Sequence, residues 1–254
     1  YPIMPRPKSP VRPEWVDPAV CSLDYRLKII GRLPFFRHLS SEAIVEINRL
    51  FEDRDVPAEQ AIYFEGDSAS HLYLVAMGKV KLMRHTTSGR EVLLDILRGG
   101  EYFGNLSIVS GQGYSETAMA QTDCCILQIS AQNFEKILKD HPDVTMKVLK
   151  AVGERLEQSQ EVVKQLSVYT VDQRIAAALV RLAKKLGEQK QKGLLIQLPF
   201  SRQDLAAMTG TTVETVSRVM SRFSAAGLIS TGRKWVSISD LDGLEAIAKE
   251  GTVN

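Results

Sequence analysis

The chain contains no run of about 18 apolar residues, so a membrane-spanning helix is excluded, and its opening segment lacks the apolar stretch of a secretory signal. These absences lead us to expect a cytoplasmic protein with no membrane partner. Cysteine is scarce. Cys21, Cys124 and Cys125 are too few and too odd in number for a disulfide framework, and the last two are sequence neighbours, which bridge poorly. Reduced thiols in a reducing compartment are expected. Histidine is equally sparse: the four residues His38, His71, His85 and His141 include no His-x-His pair. A cupin-like metalloenzyme needs several histidines and carboxylates converging from neighbouring strands, and that pattern is missing. A surplus of either charge is missing too, since 32 Lys plus Arg face 30 Asp plus Glu for a net +2. The whole-chain charge therefore points to no polyanionic or membrane partner. Proline is rare except at the start, where six of the ten fall within the first 18 residues and exclude a persistent helix or ladder. Residues 1–20 are expected to form a flexible tail.

What is present is a chain of 254 residues, 44% hydrophobic and 24% charged, long enough for one or two domains with real cores. Leu27 to Leu50 has a helical pattern, with Ser40 or Ser41 as a cap before Ile44, Ile47 and Leu50. From Ala61 to Ile129 short apolar runs alternate with turn residues, among them Gly66, Gly78, Gly89 and the Gly99-Gly100 pair. Strands so spaced predict an antiparallel sandwich or barrel over residues 21–140. After Asn133 the period turns helical, and Leu149, Val152, Leu156, Ser159, Val163 and Leu166 recur at alternating steps of 3 and 4. Over residues 141–166 this is either a coiled-coil seam for a second copy or a helix packed on its own domain; the narrowness of the stripe favours the dimer. Residues 167–254 hold 12 Lys plus Arg against 8 Asp plus Glu, or +4, which leaves −2 on residues 1–166. The neutral average hides a basic C-terminal part suited to nucleic acid.

That basic part contains a helix-turn-helix pattern from Ser201 to Phe223. Ser201 can cap the first helix, Gly210 supplies the turn, and Thr211 with Glu214 has the spacing of a capping box for the second. Val216, Val219, Met220 and Phe223 share one face of the second helix, while Glu214, Ser217, Arg218 and Ser221 share the other. An Arg donates two bonds to guanine, a Glu accepts from cytosine N4, and a Ser bonds several base edges. Glu214, Ser217 and Arg218 are therefore the candidate base readers, although Glu214 can instead serve only its own cap. Arg202, Thr212, Ser221, Arg222, Arg233 and Lys234 are candidates for the DNA backbone. The last two lie in a two-stranded wing from Gly227 to Ser239 that turns near Gly232.

From about Leu33 to Ala248 the sequence resembles the cyclic-AMP receptor/FNR family of bacterial transcription regulators. The resemblance rests on Leu33-Pro-Phe-Phe36, Phe64-Glu-Gly-Asp67, Leu72-Tyr-Leu-Val75 before Gly78, Gly100-Glu-Tyr-Phe-Gly104, the long helix and the helix-turn-helix. Val213-Glu-Thr-Val-Ser-Arg218 is similar to the FNR branch. The resemblance implies an α+β chain, in which an N-terminal double-stranded β-helix leads through a dimerisation helix to a C-terminal winged helix-turn-helix. It further implies a homodimer, a TTGAT-like inverted repeat in double-stranded DNA, RNA polymerase as a partner, and no enzymatic activity. A hinge is expected near Ser167 to Val171.

The effector is less well marked. Cyclic-AMP-binding members carry a Glu that holds the ribose and an Arg that pairs with the phosphate, where this chain has Asn105 and Tyr114, followed by the family-like Ser115. Losing the guanidinium removes the bidentate partner of the phosphodiester, so control by cyclic AMP through the usual contacts is not expected. The candidate pocket of Gly104, Asn105, Leu106, Tyr114 and Ser115 either takes another ligand or is filled by Tyr102 and Tyr114. Three cysteines cannot supply the four thiolates of an FNR-type iron–sulfur cluster. For haem, the four histidines and Cys21 are conceivable ligands, but no spacing singles out a pair. Cys124 is expected in the core, and Cys21, in the segment next to the tail, is expected as an accessible thiol open to redox modification.

Overall fold

Strand-rich apolar runs in an antiparallel fold normally alternate in and out, yet Leu72 to Ala76 is buried at every position. Such a strand must be covered on both faces. A computed structural model, describing residues 21–87, 89–104, 113–190, 193–197, 201–232 and 235–249, shows how. The described residues form two compact units, one ending at Glu161 and the other beginning at Val162.

The first unit opens with α1 (Leu23–Gly31) and α2 (Ser41–Asn48), then runs through β1 (Glu52–Val56), β2 (Ala61–Tyr63), β3 (His71–Met77), β4 (Lys79–His85), β5 (Glu91–Arg98), β6 (Tyr102–Gly104), β7 (Thr117–Ala120) and β8 (Cys124–Ser130). α3 (Ala131–Asp140) and the long α4 (Pro142–Val168) follow. The strands make two antiparallel sheets, β1-β8-β3-β6 and β2-β7-β4-β5. Tyr73 and Val75 of β3, with Cys124 and Ile126 of β8, point into the space between the sheets and meet Ile62, Val80, Leu82 and Ala118 of the second sheet. The intervening Leu72, Leu74, Cys125, Leu127 and Ile129 point the other way, onto Ile30, Phe35, Phe36, Phe134 and Val144 of the helical layer. One sheet thus divides two cores, and the period of two distributes its side chains between them. Gly78 makes the tight β3–β4 turn at φ +89°, where a Cβ would collide with the Asp123 carbonyl.

The pleat also corrects the cysteine expectation. Cys21 and Cys125 are joined in a disulfide with Cα atoms 6.7 Å apart, while Cys124 is free and buried. Adjacent residues of a strand face opposite sides, so Cys124 enters the core between the sheets and Cys125 enters the helical core, against which Cys21 is packed. Cys21 is therefore half-buried and bonded rather than an accessible thiol.

The second unit takes the end of α4 and continues through α5 (Val171–Leu186), β9 (Glu188–Lys190), β10 (Gly193–Gln197), α6 (Arg202–Thr209), α7 (Val213–Ala225), β11 (Ile229–Gly232), β12 (Trp235–Ile238) and α8 (Leu241–Lys249). Its sheet has the order β11-β12-β10-β9, all antiparallel. The α4–α5 break falls at Tyr169–Thr170, where Thr170 and Gln173 close a capping box that starts a new helix. Ile175, Leu179 and Leu182 of α5 are fully buried and form the floor on which the helix-turn-helix is built.

Candidate DNA-reading face and sensor interior

α6 starts at a capping box: Asp204 N–H donates to Ser201 Oγ at 3.1 Å, and Ser201 N–H donates to the Asp204 carboxylate at 2.6 Å. It ends at Gly210, which adopts φ +64°, ψ +37°, the left-handed turn that a Cβ disfavours. The cap of α7 is Thr212, one residue later than the Thr211–Glu214 box expected from spacing. Its hydroxyl accepts from Thr215 N–H at 3.3 Å, while Thr211 N–H is held by the Ala206 carbonyl. That second bond belongs to the end of α6, and it keeps Thr211 in the turn.

The faces of α7 divide as its period requires. Val216, Val219, Met220 and Phe223 are all at most 4% exposed, whereas Glu214 and Arg218 are exposed and Ser217 is half-buried. The Glu214 carboxylate is held below its ordinary pKa by its own backbone N–H and by the Thr212 hydroxyl, so it stays ionised and can only accept. Arg202, at the first position of α6, donates from Nη1 to Ser217 Oγ at 3.1 Å. Ser221 donates to the Ser217 carbonyl at 2.9 Å, which commits its proton inside the helix; in this rotamer it offers a phosphate no donor. Arg222 is ion-paired with Asp172 of α5. Arg233 and Lys234 lie outside the described residues, between β11 and β12 of the wing.

Between the sheets of the first unit, four aromatic rings fill the space. Tyr63 and Tyr114 are stacked with centroids 3.8 Å apart, Tyr63 and Tyr73 lie 5.4 Å apart, and Tyr73 and Phe103 lie 5.2 Å apart. The Tyr114 hydroxyl accepts from His71 N–H at 3.0 Å and lies 3.4 Å from the Tyr73 hydroxyl, and Tyr114 is only 4% exposed. Tyr63 donates to the buried Glu116 carboxylate at 3.1 Å. Burial first, and the Glu116 charge second, hold the Tyr63 hydroxyl above its ordinary pKa, so it remains the donor. Ser115 binds Glu116 as well. Tyr102 does not join this cluster: on β6 it alternates with Phe103 and packs on Phe35 at 5.2 Å in the helical core. Asn105 and Leu106 lie outside the described residues. Of the histidines, His38 is paired with Asp143 of α4, and His71 Nδ1 is bonded to Ser70 Oγ at 2.8 Å.

Residues 53–141 match the cyclic nucleotide-binding domain family, and residues 173–247 match the Crp-like helix-turn-helix domain family. Over 215 residues, 85% of this chain and 96% of the relative, the sequence is 30% identical to the cyclic AMP receptor protein of Thermus thermophilus. The chain belongs to the cyclic-AMP receptor/FNR family. It is also 30% identical to the probable transcriptional regulator flp of Lacticaseibacillus casei, over 85% of this chain and 96% of that one. Its fold is similar to that of FixK2 from Bradyrhizobium japonicum, with a TM-score of 0.70 at 23% identity over 78% of this chain and 96% of the other. As a cyclic-AMP receptor/FNR member, the protein is a transcription regulator with a DNA-binding helix-turn-helix, not an enzyme.

Within that family frame, α4 presents two apolar rows. Val144, Val148 and Ala151 are buried on the first unit. Leu149, Val152, Leu156, Val163 and Leu166, the row read from the sequence, are between 42% and 63% exposed. Spacing marked the second row and missed the first, because Val144 and Val148 stand in one turn that the period of the seam passes by. The partnerships of Arg202 with Ser217 and of Arg222 with Asp172 carried no sequence signal, since each joins residues on different helices.

Proposed function

We propose that this regulator binds, as a homodimer in the cytoplasm, an inverted repeat of TTGAT-like half-sites in double-stranded DNA and there engages RNA polymerase. The observation that carries the proposal is the set of exposed Glu214 and Arg218 with half-buried Ser217 on a helix whose opposite face is buried. Their chemistry is that of base reading: an ionised acceptor, a hydroxyl and a guanidinium. The exposed row on α4 supports the dimer, because five large apolar side chains at coiled-coil spacing remain 42% to 63% exposed in the single chain. Two copies would place their reading helices on half-sites about one helical turn, roughly 34–36 Å, apart.

The signal is not cyclic AMP bound through the family's usual contacts. Tyr114, at the position where the cyclic-AMP-binding members have arginine, turns into the sheet interior and stacks on Tyr63 instead of offering a charge to a phosphodiester. The control is a different effector, or the protein acts without one.

Fluorescence anisotropy with a labelled TTGAT palindrome tests both parts. Wild type should bind tightly and lose affinity steeply with salt, and cyclic AMP should leave the isotherm unchanged. Arg218→Ala should weaken specific binding by about 1–3 kcal/mol, roughly 5- to 150-fold. Equal binding by wild type and Arg218→Ala would remove α7 as the reading helix.

A further inference from the structure

A serine hydroxyl has one proton and two lone pairs, and on a helix it usually gives the proton to the carbonyl four residues back. Among the described residues three serines do so: Ser159 to Arg155 at 2.9 Å, Ser167 to Val163 at 2.9 Å and Ser221 to Ser217 at 2.9 Å. Ser217 makes a different bond. Its oxygen accepts a hydrogen bond from Arg202 Nη1 at 3.1 Å, across from the first turn of α6, and among the described residues its proton goes to no protein acceptor. Guanidinium only donates, so this contact can be satisfied only by a lone pair of the serine.

We infer that Arg202 is a specificity-positioning residue, which by donating to Ser217 Oγ biases that hydroxyl toward giving its proton to the DNA and so toward reading a base acceptor. This rests on α7 being the reading helix. A free serine is ambiguous in the major groove, since it can donate to thymine O4 or guanine O6 and N7, or accept from cytosine N4 or adenine N6. With one of its two lone pairs engaged by a cation, the hydroxyl is polarised toward donation and its remaining lone pair becomes a poorer acceptor. Cytosine, which presents only a donor there, is disfavoured against thymine O4, guanine O6 and N7, and adenine N7. The anchorage of Arg202 favours the role. It is the first residue after the Ser201 cap, so the Ser201–Asp204 box fixes its backbone, and α6 packs against α7. The same guanidinium keeps further N–H groups for a phosphate, but its distinct contribution is to the direction of one hydrogen bond in the reading set.

The test uses the full-length protein and duplex palindromes in which each half-site position is varied through all four base pairs, with affinities measured across a salt series. Ser217→Ala first identifies the base pair it reads, as the one position whose preference flattens. That position should favour thymine or guanine over cytosine by about tenfold in wild type. Arg202→Ala should flatten the same position and no other, by a similar factor, and the double variant should lose no more there than either single one. Arg202→Lys, which keeps the positive charge, should keep the salt slope and restore part of the preference. Thermal unfolding checks that the exposed Arg202 variants remain folded. A uniform loss over all duplexes, with the salt slope reduced by about one and no change in preference, would make Arg202 a phosphate contact only. A cytosine preference at the Ser217 position would also overturn the inference. Failure of α7 itself has a separate signature, because Arg218→Ala would then leave every preference intact.

Discussion

At the scale of single residues, protonation states in the reading face follow from local hydrogen bonding. Glu214 lies in the first turn of α7, where backbone N–H groups are unpaired and favour negative charge. Its own N–H and the Thr212 hydroxyl lower its pKa below the ordinary 4.5. A carboxylate whose folded pKa is depressed adds stability above its unfolded pKa and loses it as the pH falls through the folded value. Glu214→Gln should therefore be less stable than wild type at neutral pH, and the gap should close as the pH drops below 4.5. Parallel thermal melts from pH 7 to pH 3 provide the check; a gap that is constant in pH would show that ionisation of Glu214 plays no part. Sequence spacing made Glu214 the capping-box partner of Thr211, whereas the cap is Thr212 and Glu214, at the second position of α7, accepts from its own N–H and the Thr212 hydroxyl. The one-residue error arose because the α6 C-terminus claims the Thr211 N–H, a bond between helices that local spacing does not contain.

Among elements, legibility tracked how far each one is defined by its own period. β3, β4, β5 and β8 are long and apolar, and their runs were evident in the sequence. β1 and β6 were not. β1 is Glu-Asp-Arg-Asp-Val, exposed at its first four positions, and forms the edge of its sheet, where charges deter pairing with other chains. β6 has only three residues. β9 had no signal either, because Glu188-Gln-Lys190 has no apolar member. A buried leucine contributes about 1.5–3 kcal/mol, and replacing it by a charge adds a desolvation cost. Leu156→Glu, at the middle of the α4 row and 59% exposed in the single chain, should raise the dimer dissociation constant by at least about a hundredfold. Sedimentation velocity would show this as a shift to monomer with an unchanged far-ultraviolet spectrum. A Leu156→Glu protein that remains as dimeric as wild type would locate the dimer contact elsewhere. Val148→Ala, on the buried row, should instead lower stability and leave association unchanged.

For the whole molecule, the disulfide shows why residue counts alone were a weak guide. An odd number of cysteines argued against a framework, yet one pair closes a loop with a sequence separation of 104, from the residue before the α1 cap to β8, and the third cysteine is left in the other core. The family resemblance placed Cys124 in the core, but the strand alternation that sends Cys125 to the other core emerged only with the fold, and nothing local marked Cys21 as the partner. A cross-link over a loop of that length stabilises the folded chain by up to about 4.7 kcal/mol on chain-entropy grounds. Reduction should therefore lower the unfolding temperature of the first unit, and Cys125→Ser should reproduce the lowered value and become insensitive to dithiothreitol. Thiol titration offers an independent measure. Denatured protein prepared without reductant should present one reactive thiol, that of Cys124, and reduced protein all three. Three reactive thiols before reduction would show that Cys21 and Cys125 are close neighbours without a bond. The first unit would then owe its stability to its two apolar cores alone, and dithiothreitol would leave its melting unchanged.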